Sequence, residues 1–112
     1  MSETPKWYVV HTYSGYENIV SENIEKVIEN KRFKDFIFDV SVPTETIVEV
    51  NDNKKREVER KIFPGYVLVK MILTDESWYV VRNTRGVTGF VGPASKPVPL
   101  SEEEVAKLGI GS

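Results

Sequence analysis

The chain predicts an α+β fold: an antiparallel sheet with helices packed on one face and a β-hairpin inserted midway. Three observations carry this. Short runs dense in aromatic and β-branched residues recur along the chain and mark strands. One stripe at helical spacing follows the first of them. A charged, polar stretch near the middle has turn residues between two alternating arms.

Lys6–Thr12 (KWYVVHT) is the first predicted strand. Trp7, Val9 and His11 alternate with Tyr8, Val10 and Thr12, and both sets carry apolar groups. Such a strand is central, or has one face reserved for something else. Ser14 and Glu17 then have capping-box spacing, with the Ser14 hydroxyl and the Glu17 carboxylate each reaching the other's amide. The spacing predicts a helix over 15–30 with Tyr16, Ile19, Val20, Ile24, Val27 and Ile28 as its apolar stripe. Residues 36–42 form a second strand, closed by Pro43.

The hairpin arms fall at 46–50 and 56–62, around a polar turn at 51–55. Its second arm mixes Arg56, Glu57, Glu59, Arg60 and Lys61, so it reads as solvated. After the Pro64-Gly65 break, 66–72 is another strand. Asp75 and Glu76 open a short helix, where acidic groups suit the dipole, with Trp78 and Val81 pointing inward. Residues 87–91 form a last strand, and 96–99 an extended segment. Ser101-Glu102-Glu103-Glu104 caps a terminal helix that Gly109 ends. The order β-α-β, hairpin, β-α-β, helix is a split β-α-β pattern, related to the ferredoxin-like and RRM architectures.

Composition narrows the function. The chain has 112 residues, 40% hydrophobic and 29% charged, which suits one ordinary domain. A net charge of −2 gives no global field toward nucleic acid, so any such contact is local. The absence of cysteine removes disulfides, thiolate nucleophiles and zinc-thiolate sites. No signal-peptide pattern opens the chain and no apolar run is long enough to span a bilayer. The expectation is a cytoplasmic protein with no membrane role.

Signatures of chemistry are missing. No nucleophile elbow, P-loop, dinucleotide fingerprint or metalloprotease motif occurs. His11 reads as a satisfied sheet histidine. The glycines between 86 and 92 read as tight turns and a close backbone approach. Neither a catalytic residue nor a cofactor or metal site is expected.

Two groupings remain. Phe63-Pro64-Gly65-Tyr66 joins a chain break to two rings at a sheet edge. On pattern alone it is either core or a protein-binding anchor. Arg82-Asn83-Thr84-Arg85 places two cations around an amide and a hydroxyl, types that hold a phosphate and a base edge. On pattern alone, a helix C-terminus with arginine complementing its dipole explains it better.

Six segments stand in order along the chain: WYVVHTYSGYE from Trp7, VPTE from Val42, RKIFPGYVLV from Arg60, SWYVVRNT from Ser77, VTGFVG from Val87 and KPVPL from Lys96. Together they resemble the N-terminal (NGN) domain of the NusG family of transcription elongation and antitermination factors. The resemblance spans roughly 6–105 and implies a binding module, not an enzyme. It implies one NGN domain over 1–110, monomeric, without the C-terminal KOW domain through which the family recruits termination factor Rho or a ribosomal protein. It implies docking on the clamp helices of the largest RNA polymerase subunit, bridging to the second-largest subunit, and a position beside the non-template DNA strand. Carried onto this sequence, Trp7, Tyr8, Phe63, Pro64, Gly65, Tyr66 and Phe90 become the clamp-helix pocket. Ser14, Gly15 and Glu17 become the contact to the opposite subunit. Arg82, Asn83, Thr84 and Arg85 become the non-template-strand contact, although many members have proline where Arg85 stands. A free-standing RRM-like RNA binder would need an RNP1-type aromatic pattern on a basic sheet, and a small acyl-phosphate hydrolase a better Arg–Asn cradle. The chain has neither.

Overall fold

The computed structural model describes residues 4–92 and 97–108. The elements are β1 (Lys6–Thr12), α1 (Glu17–Glu29), β2 (Ile37–Ser41), β3 (Thr44–Asn51), β4 (Lys54–Lys61), β5 (Tyr66–Met71), α2 (Asp75–Arg82), β6 (Val87–Phe90) and α3 (Glu102–Leu108). A four-stranded sheet in the order β2-β5-β1-β6 is antiparallel throughout, and β3 and β4 form a separate hairpin. The predicted α+β architecture and element order hold.

Strand alternation divides the sheet into two unlike faces. Tyr8 and Val10 of β1 and Val67, Val69 and Met71 of β5 meet Val20 and Ile24 of α1 and Val81 of α2 in the core. The opposite face carries Trp7, Val9 and His11 beside their cross-strand partners Lys70, Leu68 and Tyr66. The second apolar set on β1 is therefore a second surface, not a thicker core.

That surface corrects the expectation of helices on one face. Leu100 N–H donates to the Trp7 carbonyl (2.8 Å) and Pro99 bridges to Tyr8, carrying the chain along the start of β1 that β6 leaves unpaired. α3 follows on the side of the opposite face, where its Val105 and Ala106 line an open recess together with Trp7 and Pro99. A reciprocal box starts it: Ser101 N–H donates to Glu104 Oε1 (3.1 Å) and Glu104 N–H to Ser101 Oγ (3.2 Å). The predicted Gly109 stop and Lys96 lie outside the described residues.

The Ser14–Glu17 box does not form. α1 begins at Glu17 with Tyr16 at the N-cap and no side-chain cap. Gly15 turns left-handed (φ 84°), and the Glu17 carboxylate is drawn to another part of the chain, described below. Val20 and Ile24 are buried as predicted, but Ile19 and Tyr16 stay exposed. In α2 the cap is Thr74, whose hydroxyl and the Ser77 hydroxyl bond reciprocally to each other's amides. That is a true capping box one residue ahead of the predicted acidic start.

The hairpin turn is shorter than predicted. Asp52 and Asn53 both adopt positive φ (50° and 66°), so two residues reverse the chain in the I′ manner. Asn51 then pairs with Lys54 and Val50 with Lys55, drawing residues of the expected turn into the arms.

Candidate functional site

Phe63-Pro64-Gly65-Tyr66 is a tight turn, with Tyr66 N–H donating to the Phe63 carbonyl (3.1 Å). Proline in its second place and left-handed glycine (φ 86°) in its third are the type II arrangement. Two bonds fix it to the body. Gly65 N–H donates to Glu17 Oε2 (2.7 Å), and the Gly65 carbonyl accepts from Thr12 N–H (2.8 Å). Glu17 and Gly65 are buried, so the first residue of α1 anchors the turn from below.

The turn presents its rings to the second face of the sheet. Phe63 and Tyr66 line an apolar groove of about 460 Å³, with Val9 and Leu68 on its floor and Val91, Leu100 and Leu108 on its walls. Phe63 is 40% exposed and Val91 40%, whereas Leu68 is buried. Glu104 and Lys107 of α3 form a polar rim. Large rings on a rigid turn above an aliphatic floor are suited to receive an apolar ridge from another protein.

This arrangement corrects the predicted pocket. Phe63 and Tyr66 belong to it and Pro64 and Gly65 shape it, but Trp7, Tyr8 and Phe90 do not line it. Tyr8 and Phe90 point into the core, edge to face at 6.3 Å, and burial pushes the Tyr8 phenol pKa up. Trp7 lies on the second face but is only 4% exposed, close to α3. Glu17 is likewise unsuited to an external contact, because it is buried on Gly65. Ser14 and Gly15 are exposed.

A second groove, about 650 Å³, runs between α1, the segment after it and α2. Asn83, Thr84 and Arg85 line it, joined by Arg32, Asn23 and Tyr79, which no sequence pattern singles out. Asn83 Nδ2 donates to the Tyr79 carbonyl (2.8 Å) and Thr84 Oγ1 to the Val80 carbonyl (2.9 Å), closing the end of α2. The helix-terminus role expected on pattern alone is therefore present. Asn83 is exposed, and this bond uses only its Nδ2, so Oδ1 keeps its acceptor capacity. Tyr79 is 64% exposed, and Arg32 pairs with Glu76 at 3.3 Å. Sequence reasoning misses Arg32 because a loop brings it to a helix far along the chain.

Arg82 is not in that groove. Its guanidinium lies over the Trp78 ring (5.8 Å) and lines a third, polar recess of about 390 Å³ at the β6 edge, with His11, Tyr66 and Thr88. His11 is satisfied, as expected of a sheet histidine: Nδ1 bonds Thr88 Oγ1, which in turn donates to the His11 carbonyl (3.0 Å). The predicted quartet 82–85 is thus split between two surfaces.

Among the described residues no group of His, Cys, Asp or Glu is arranged to hold a metal ion, and no helix is long and apolar enough to cross a membrane. A family model described as transcription termination factor nusG matches residues 5–109. The chain belongs to the NusG family. The transcription termination/antitermination protein NusG of Halalkalibacterium halodurans is 63% identical over 102 residues, covering 88% of this chain and 57% of that protein. The Bacillus subtilis protein of the same name is 60% identical over 105 residues, covering 91% and 59%. The chain therefore spans little more than half the length of the curated NusG relatives it matches. Among solved structures, NusG of Thermotoga maritima, described under domain interaction, aligns with TM-score 0.70 and 40% identity, covering 91% of this chain and 54% of that one. A chain of an MjSpt4:Spt5 complex, 17% identical with TM-score 0.54 over 95% of this chain and 59% of its own, shares the fold.

Proposed function

We propose that residues 1–110 form the polymerase-holding NGN domain of a NusG-family transcription factor, acting as a cytoplasmic monomer by binding and not by catalysis. The apolar groove under Phe63 and Tyr66 carries this reading. Its occupant is the clamp-helix coiled coil of the largest RNA polymerase subunit, laid as an amphipathic ridge onto Val9 and Leu68. Exposed Ser14 and Gly15 meet the second-largest subunit across the DNA cleft. Binding both sides favours the closed clamp and so shifts the population away from opening. Elongation, pausing and termination change as a result. Rho or a ribosomal protein engages through the family's KOW domain, not through this NGN domain.

Binding to nucleic-acid-free core RNA polymerase tests the groove. Phe63→Ala, with its fold checked by circular dichroism, is expected to lose about 2 kcal/mol or more, roughly thirtyfold in Kd. A folded variant that binds within about twofold of wild type would remove the groove from the interface.

The second groove suits the non-template strand as it leaves the bubble. Arg85 and Arg32 supply charge for phosphate, Tyr79 a ring for stacking, and Asn83 Oδ1 an acceptor for a base N–H. Stacking of one base on an aromatic ring contributes about 1–3 kcal/mol. The double variant Tyr79→Ala/Arg85→Ala is therefore expected to abolish sequence-dependent pausing in a single-round elongation assay, with affinity for core polymerase kept. Unchanged pausing would rule the groove out as a strand site.

A further inference from the structure

We infer that Arg82, in the recess at the β6 edge, recognises a carboxylate on the same polymerase helix that fills the apolar groove. The inference rests on the groove reading and adds to it the residue that fixes the helix's register. Arg82 thereby leaves the set of DNA contacts to which the family resemblance assigns it.

The recess and the groove are continuous. Tyr66 and Val91 line both, so a ridge lying on Phe63 and Tyr66 brings its next residues to the recess. Arg82 supplies the one formal charge among the recess-lining residues, and no carboxylate lies among them. Its guanidinium makes no hydrogen bond or ion pair among the described residues, in contrast to Arg32, which is paired with Glu76. Contact with the Trp78 face restricts the long side chain before any partner arrives. A planar, unpaired guanidinium in a partly enclosed recess is matched to a carboxylate, which it can hold through two parallel bonds. His11 does not supply a second neutral donor, since Nδ1–H is committed to Thr88 and Nε2 in that tautomer accepts. The other grooves argue against phosphate here. The surface with the arginine, amide and ring expected of a strand site opens between α1 and α2 and does not include Arg82. A rim charge of this kind sets register and salt dependence more than bulk affinity.

The test uses core RNA polymerase without DNA or RNA, titrated at low and at moderate salt with wild type, Arg82→Gln, Arg82→Lys and Phe63→Ala. Thermal melts confirm that each is folded. Arg82→Gln is expected to weaken binding about tenfold at low salt and to flatten the salt dependence, while Arg82→Lys keeps most of the affinity. If Arg82→Gln binds core polymerase like wild type, the inference fails. It fails equally if the loss appears only in elongation complexes with a non-template strand, because the ligand is then a phosphate. Equal losses for Gln and Lys at both salts would also overturn it, since charge would not be the cause. Phe63→Ala separates the two levels. If it loses binding while Arg82→Gln does not, the groove reading stands alone, and if it binds normally, both readings fall together.

Discussion

Gly86→Ala is expected to destabilise the domain by about 3 kcal/mol, the sum of two independent costs. Gly86 sits at φ 96°, left-handed backbone that costs an L-residue roughly 1–2 kcal/mol. A methyl there would also stand 2.8 Å from Val20 Cγ2 and 3.0 Å from Tyr16 Cδ2. Val20 is fully buried in the core and its backbone is held in α1, so it has little room to retreat. Overpacking of this kind costs about 1–3 kcal/mol. Gly86 further accepts from Tyr13 N–H (3.0 Å), tying the end of β1 to the start of β6. Urea unfolding followed by the fluorescence of Trp7 and Trp78 measures the change. Gly15→Ala is the control: φ is 84° there, but an added methyl meets nothing within 4 Å. It should show the backbone cost alone, near 1 kcal/mol. Equal effects at the two positions would refute the packing part of the argument.

Much of the fold is legible in the sequence because local signals and tertiary packing agree. The Val20, Ile24, Val27 and Ile28 stripe faces the sheet, and β1 is paired on both sides, as its two apolar faces imply. What the sequence hides is decided at long range. The aromatic residues cannot be sorted between core and groove until the register puts Tyr8 on one face and Trp7 on the other. Even then nothing in the spacing along β1 shows that Trp7, on the second face, is only 4% exposed. Phe90 resembles a surface ring beside two glycines, yet its alternation in β6 turns it onto Tyr8. Arg82 and Arg85 are three apart in sequence and look like one cluster. The end of α2 turns them apart, one to Trp78 and one to the groove beside α1.

Glu17 shows the same competition within one side chain, and it leads to the second large effect. Local spacing favours a capping bond to Ser14, but the carboxylate instead accepts from Gly65 N–H at 2.7 Å in a buried position. A donor buried without its acceptor costs about 1–3 kcal/mol, and bonds to charged groups lie at the upper end. Glu17→Ala is therefore expected to lower stability by about 2–3 kcal/mol. It should also weaken polymerase binding, because the freed turn carries Phe63 at one end and Tyr66 at the other. Glu17→Gln keeps an oxygen of the right reach and should cost no more than about 1 kcal/mol, with polymerase affinity near wild type. Unfolding and polymerase binding measured on the same two variants distinguish anchor from contact. If Glu17 only supports the turn, affinity follows stability and Gln restores both. If Glu17→Gln unfolds like wild type yet loses polymerase binding, the carboxylate itself meets the polymerase, and the buried-anchor assignment made from the Gly65 bond is wrong.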